Sequence, residues 1–121
     1  MSDDTDPLLD FCRSLPGATE DVKWGDNLVF SVGGKMFALF NLPDGEPFSL
    51  KVDPDAFSII VGKPGIEPAP YLAKHSWIYL TRRDVIPLEA VKELLQESHA
   101  LVASKLSKKL RRSLGITGSG D

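Results

Sequence analysis

Apolar residues near the start of the chain recur at helical spacing, from position 8 to position 15. Asp6-Pro7 precedes them and supplies an N-cap carboxylate and a proline at the first helical position, while Pro16-Gly17 ends the pattern. The same pair recurs at Asp53-Pro54, ahead of a second apolar group that ends at Gly62. The pattern therefore predicts a short helix after each Asp-Pro pair.

Between these helices the apolar positions alternate as they do in strands. Segments 28–32 and 35–41 flank Gly33-Gly34, a two-residue loop suited to a type I′ turn. An uninterrupted register would pair Val32 with Lys35 and Phe30 with Phe37, and would leave both faces of the hairpin apolar. Further strands are expected at 47–52 and 75–81.

A long amphipathic helix is predicted to begin at Pro87, with an apolar stripe that continues to Leu106. An unbroken helix would place Lys109 inside that stripe, so we expect a break at Leu106-Ser107, with Ser107 capping a short basic helix. These elements predict one α+β domain over residues 1–121, in which an antiparallel sheet of about five or six strands packs in two layers against helices. Segments 1–5 and 115–121 are expected to be flexible.

Composition and cysteine usage narrow the chemistry. With 42% hydrophobic and 26% charged residues, the 121-residue chain has an ordinary globular composition. Its single cysteine, Cys12, lies on an apolar helix face and is expected to be inert core. The two histidines, His75 and His99, stand on separate elements without ligands at metal-binding spacing. We therefore predict no catalytic residue, no metal and no cofactor, and we expect that the protein is not an enzyme.

The location of the protein is predicted from its termini and hydropathy. Four aspartates among the first ten residues do not fit the basic start of a signal peptide, and no apolar run approaches the ~18 residues of a membrane span. A cytoplasmic protein without membrane contact is expected, as a monomer or weak dimer.

Basic residues are concentrated near the C-terminus, although the net charge is −3. Five of the fourteen lie within eight positions: Lys105, Lys108, Lys109, Arg111 and Arg112. The rest of the chain carries the other nine basic residues and all seventeen acids, so its net charge is negative. This basic end could neutralise the phosphates of an acidic partner, or it could simply be a solvated helix terminus.

Segment 74–83 is the strongest candidate surface. On a strand, His75, Trp77 and Tyr79 would share one face, preceded by Lys74 and followed by Arg82. Aromatic planes interleaved with cations suit nucleic acid, whereas the alternative places the aromatic rings under a helix.

The Gly33-Gly34 hairpin is a second candidate. Lys35 stands beside its tip, where it could meet a phosphate backbone or merely border the turn. Trp24, next to Gly25, is expected to be a core or rim aromatic rather than a binding platform.

Segments spanning roughly residues 7 to 114 resemble one known family. They are Cys12-Arg13-Ser14-Leu15-Pro16-Gly17, Lys23-Trp24-Gly25, Val29-Phe30, Val32-Gly33-Gly34-Lys35-Met36-Phe37-Ala38, Ser49-Leu50-Lys51-Val52-Asp53-Pro54, Lys74-His75-Ser76-Trp77 and Ala103-Ser104-Lys105-Leu106-Ser107-Lys108-Lys109. The chain resembles the MmcQ/YjbR family of small bacterial proteins. The resemblance implies a two-layer fold related to secretion-chaperone-like folds and the family's usual label, DNA binding through a "double wing" of hairpins. It supplies no catalytic residues.

Two functions follow as hypotheses. The first is a small cytosolic bacterial protein that binds DNA through basic and aromatic surface residues: Lys35, Lys74, His75, Trp77, Arg82, Lys105, Lys108, Lys109, Arg111 and Arg112. The second is a chaperone-like module that binds a protein or peptide through the surplus apolar sheet face.

Overall fold

The computed structural model describes residues 6–42, 44–70 and 72–116. Its helices are α1 (Pro7–Ser14), α2 (Pro54–Ile60), α3 (Leu88–Ala103) and α4 (Lys108–Ser113). Its strands are β1 (Ala18–Lys23), β2 (Asn27–Val32), β3 (Lys35–Asn41), β4 (Phe48–Lys51), β5 (Ile66–Pro68) and β6 (Trp77–Leu80), with a 3-10 turn at Ala73–His75.

All six strands form one antiparallel sheet in the order β1-β2-β3-β4-β6-β5. Helices α1 and α3 bury their apolar sides in the same core cluster as the sheet, and apolar residues of α2 pack against that cluster. Its centre is a group of fully buried phenylalanines, in which Phe40 stacks on Phe48 at 5.2 Å and meets Phe30 edge-on at 5.9 Å. The predicted two-layer α+β class is confirmed.

The helix boundaries follow the predicted capping residues. The Asp6 carboxylate accepts hydrogen bonds from the N–H groups of Leu8 and Leu9, and Asp53 caps α2 in the same way. Ser107 caps α4 through the N–H of Leu110, so the expected break between the long helix and the basic helix is confirmed.

The predicted register of the Gly-Gly hairpin is wrong beyond its first two pairs. Val32 pairs with Lys35 as expected, but a bulge shifts the register so that Phe30 pairs with Ala38 instead of Phe37. Because Phe37 is the extra residue, both Phe37 and Ala38 are buried, and Phe40 turns to the same side of the sheet as Phe30. The bulge therefore places Ala38 and Phe40 on the core face with Phe30, while Val29 and Leu39 lie on the opposite face.

Two strands have no counterpart in the sequence pattern. β1 is an edge strand whose last five residues are exposed, so it lacks the alternation by which strands are recognised. β5, at the other edge, has only three residues.

The segments predicted to be flexible are described only in part. Gly115 and Ile116 are described, and Ile116 packs against the core. Segments 1–5 and 117–121 lie outside the described residues. Within the described part of the chain, no helix combines the length and hydrophobicity that crossing a membrane requires.

Candidate functional site

A groove of about 380 Å³ opens at the end of the sheet where the Gly33-Gly34 hairpin turns. Four parts of the fold form it: the start of β3, the end of β4, the turn that leads into β6, and the end of α3. Its lining residues are Lys35, Met36, Lys51, Leu72, His75, Trp77, Val102 and Lys105. Since three of these are lysines, we call it the cationic groove.

Lys51 is the most firmly positioned of the three lysines. Its backbone N–H donates to the hydroxyl of Ser98 at 3.1 Å, and the same hydroxyl donates to the carbonyl of Phe37 at 2.6 Å. Ser98 is fully buried on α3, so this hydroxyl joins β3, β4 and α3 behind the backbone of Lys51. The Lys51 side chain crosses to the turn before β6, where its Nζ donates to the carbonyl of His75 at 2.6 Å.

Burial and electrostatic repulsion both disfavour the positive charge of Lys51. Burial lowers the pKa of the Lys51 ammonium below its usual value, and the positive charge of Lys105 lowers it further. None of the described residues that line the groove is acidic. The fold therefore gathers like charges at a half-buried position, an arrangement that a bound anion would stabilise.

Close packing at the hairpin tip holds Lys35 and Lys105 near each other. Gly33 has a φ of +60°, and a Cβ there would lie 2.6 Å from Cδ1 of Leu106. The turn thus rests directly on the residue that follows Lys105, while Lys35 follows the turn. Both lysine side chains are exposed.

The aromatic surface predicted on segment 74–83 is not formed as expected. Lys74 and His75 lie in the 3-10 turn instead of on the strand, because Ser76 has a φ of +65° and redirects the chain before β6 begins. Trp77 opens β6 opposite Lys51 but is only 4% exposed, so it forms a wall and not a stacking platform. His75 reaches the groove, whereas Lys74 is exposed beside it.

Arg82 is not part of this groove. It follows the opposite end of β6, roughly 10 Å or more along the strand from Trp77. There its guanidinium is paired with the carboxylate of Asp84 at 2.8 Å, and both groups are exposed. Its assignment to a common surface with Trp77 is therefore wrong, since β6 separates the two residues.

The basic residues of α4 continue from the groove along the chain. Lys105 is followed by the capping residue Ser107 and then by Lys108 and Lys109, which are exposed together with Arg112. Arg111 is half-buried. The predicted C-terminal cluster is therefore divided, with Lys105 in the groove and the other members on a separate helix.

A larger concavity, about 540 Å³, lies at the opposite end of the sheet. It is lined by Asp44, Glu46, Thr81, Arg82, Arg83 and Asp84. Its charges are largely matched internally. Arg82 pairs with Asp84, Arg83 pairs with Asp6, and the backbone N–H of Arg83 donates to the carboxylate of Glu46. A charged ligand would have to displace these pairs, so the smaller cationic groove is the better candidate.

Two other predicted chemical groups have clear positions. Cys12 is fully buried, as expected for a core position, and burial raises the pKa of its thiol to about 12. Trp24, expected in the core or at its rim, is instead 67% exposed at the β1–β2 turn with a φ of +51°. Among the described residues, no group of three or more histidines, cysteines or acids could hold a metal ion.

Comparison with known proteins places this fold. The YjbR family model matches residues 13–101. The chain belongs to the YjbR family. The YjbR assignment agrees with the crystal structure of protein DR2400 of Deinococcus radiodurans, which carries a DUF419 domain and is 34% identical. The match covers 93% of this chain and 90% of that one, with a TM-score of 0.81.

A second solved structure resembles the chain in fold. It is a protein from Pseudomonas syringae, 23% identical, with a TM-score of 0.65 over 79% of this chain and 96% of that one. No curated protein matches the chain.

Sequence reasoning missed the most constrained residue of the cationic groove. Lys51 occupies a polar position in the alternation of β4, between Leu50 and Val52, and polar positions of that kind usually face solvent. Only the pairing of β4 with β6, which sets Lys51 opposite Trp77, reveals it. A correct prediction of that strand pairing would therefore have been needed to identify Lys51.

Proposed function

We propose that this YjbR protein is a non-enzymatic nucleic-acid-binding protein that holds phosphate groups in the cationic groove. One observation carries the proposal: Lys35, Lys51 and Lys105 converge on a single concavity with no acidic lining residue among those described. Lysine ammonium groups bind phosphates as point charges, and this type of contact dominates nucleic-acid affinity.

The contact is expected to position nucleic acid without reading its sequence. Phosphate contacts fix the register of a protein on its ligand but carry no base information. The exposed basic residues of α4, which follow Lys105, would meet neighbouring phosphates. The groove, rather than a pair of hairpin tips, is the proposed contact, because the β1–β2 and β2–β3 turns lie at opposite ends of β2.

The alternative, a protein or peptide held on an apolar sheet face, has less support. One row of residues crosses the face opposite the core in the order Asp21, Val29, Leu39, Ser49, Tyr79 and Glu67. Val29 and Ser49 are buried and Leu39 and Tyr79 are half-buried, so little apolar surface is available there.

Fluorescence anisotropy with labelled DNA over a salt series tests the proposal. For the form of DNA, single-stranded or duplex, that binds more tightly, affinity should fall steeply with salt. Lys51→Glu should weaken that binding roughly tenfold and reduce the salt slope by about 1. Lys63→Glu is the matched control. Lys63 is exposed in the loop between α2 and β5, so its substitution makes the same change of charge outside the groove.

Three results would contradict the proposal. Binding could be undetectable at low salt, or Lys51→Glu could bind as tightly as Lys63→Glu. An acidic peptide such as poly-glutamate could also compete as well as DNA, which would favour the protein or peptide alternative.

A further inference from the structure

We infer that the cationic groove accepts a nucleotide of single-stranded nucleic acid, with its phosphate among the three lysines, and excludes the intact duplex. This inference rests on the proposed function and specifies its ligand. The depth of Lys51, the size of the groove and its mixed lining support it.

The depth of Lys51 separates the two ligand forms. Lys35 and Lys105 are exposed at the rim, but Lys51 is half-buried and its Nζ is tied to the His75 carbonyl in the wall. The convex surface of a duplex meets the rim lysines first, whereas a phosphate that reaches the Lys51 ammonium must approach the groove wall that holds it. A flexible single strand can project one of its nucleotides in this way.

The size of the groove fits one nucleotide. Its volume of about 380 Å³ lies within the ~300–1,000 Å³ of pockets that enclose small molecules. A DNA duplex, whose major groove alone is ~12 Å wide, is far larger than a concavity of this volume. The groove therefore has room for a nucleotide and not for a double helix.

The lining of the groove matches the two parts of a nucleotide. Met36 and Leu72 are half-buried and expose apolar surface between the lysines, which suits the face of a base. Proteins that hold single strands combine cations for the backbone with apolar or aromatic contacts for the bases. In a duplex the base faces are stacked and cannot reach such a surface.

Electrostatics favours the same ligand. The charge of Lys51 is disfavoured by burial and by Lys105, and the attraction of an entering phosphate would offset both effects. Since the bound phosphate stabilises the ammonium form, single-strand affinity should decrease as pH rises through the pKa of Lys51, which is lowered in the free protein. Duplex held only at Lys35 and Lys105 would lack this dependence on Lys51.

The test compares one labelled strand of about 12 nucleotides, within the ~4–16 nucleotide sites of single-strand binders, with the same strand annealed to its complement. Anisotropy is measured for the wild type, Lys51→Glu, Lys105→Glu and the Lys63→Glu control, each checked for native circular dichroism. Deoxythymidine monophosphate serves as a competitor, because it carries a base, a sugar and a phosphate without a strand.

The expected result is roughly tenfold tighter binding of the single strand than of the duplex. This preference should be lost in Lys51→Glu and retained in Lys63→Glu.

Equal or tighter duplex binding that still depends on the groove lysines would overturn this inference and leave the proposed function standing. Monophosphate binding as tight as strand binding would overturn the strand assignment. Failure of both DNA forms to bind would overturn both claims. If Lys51→Glu does not fold, unchanged single-strand binding by Lys105→Glu overturns the inference, because Lys105 is exposed.

Discussion

At the scale of single residues, the cationic groove depends on two residues, Gly33 and Ser98, that position its lysines from outside the groove. Gly33 combines a positive φ with direct contact to Leu106, and Ser98 joins three elements through one hydroxyl. Neither residue lines the groove, yet the first sets the approach of Lys35 to Lys105 and the second fixes the backbone of Lys51. Such supporting contacts, rather than the lysines alone, give the charges a defined arrangement.

A pair of adjacent glycines tests this packing. Gly33→Ala should lower the free energy of unfolding by about 2–3 kcal/mol, because it adds both the left-handed backbone cost and a clash with Leu106. Gly34→Ala carries the backbone cost alone, about 1–2 kcal/mol, since no atom lies within 4 Å of its added Cβ. Urea denaturation measures the difference. Equal losses for the two variants would show that contact with Leu106 does not matter.

At the scale of secondary-structure elements, the N-terminus of α1 is fixed to the far end of the sheet. Asp6 caps the helix and also pairs with Arg83, which follows β6. Burial opposes ionisation of this carboxyl, but the hydrogen bond from Arg83 and those from the backbone of α1 prevail and lower its pKa. The contact therefore connects the first helix to the last strand.

This contact predicts a pH dependence of stability. Because the pKa of Asp6 is lowered in the folded protein, its stabilisation is present above the unfolded value, ~3.9, and is lost as pH falls through the lowered folded value. Arg83→Gln should destabilise the protein by about 1–2 kcal/mol at neutral pH, and the difference from wild type should shrink in acid. Denaturation across pH provides the measurement. Arg82→Gln, the neighbouring exposed arginine, should leave stability unchanged, and an equal loss in both variants would contradict the assignment.

Elements with strong local signals are also those that the sequence predicts. The Asp-Pro caps, the Gly-Gly turn and the break at Ser107 depend on short-range chemistry, and each stands where its residues indicate. The bulge at Phe37 and the exposed edge strand β1 depend on tertiary packing and on edge protection, which leave no periodic trace. One inserted residue was enough to exchange the faces of half a hairpin.

At the scale of the whole molecule, the two ends of the sheet differ in charge. The cationic groove gathers lysines at one end, while the other end holds acids and arginines that pair with one another. The sequence indicated a basic cluster and a lysine at a hairpin tip, and Lys35, His75, Trp77 and Lys105 do meet. It could not indicate Lys51 or exclude Arg82, because strand pairing decides which residues share an end of the sheet.

The central claim is that nucleic acid enters the cationic groove, and a titration of isotope-labelled protein with a single-stranded oligonucleotide tests it most directly. Two-dimensional amide spectra should show saturable shifts concentrated at Lys35, Met36, Lys51, His75, Trp77 and Lys105, and smaller changes along α4. Shifts centred on the exposed Trp24 turn or on the opposite sheet end, or groove resonances left unmoved by saturating oligonucleotide, would contradict binding in the groove.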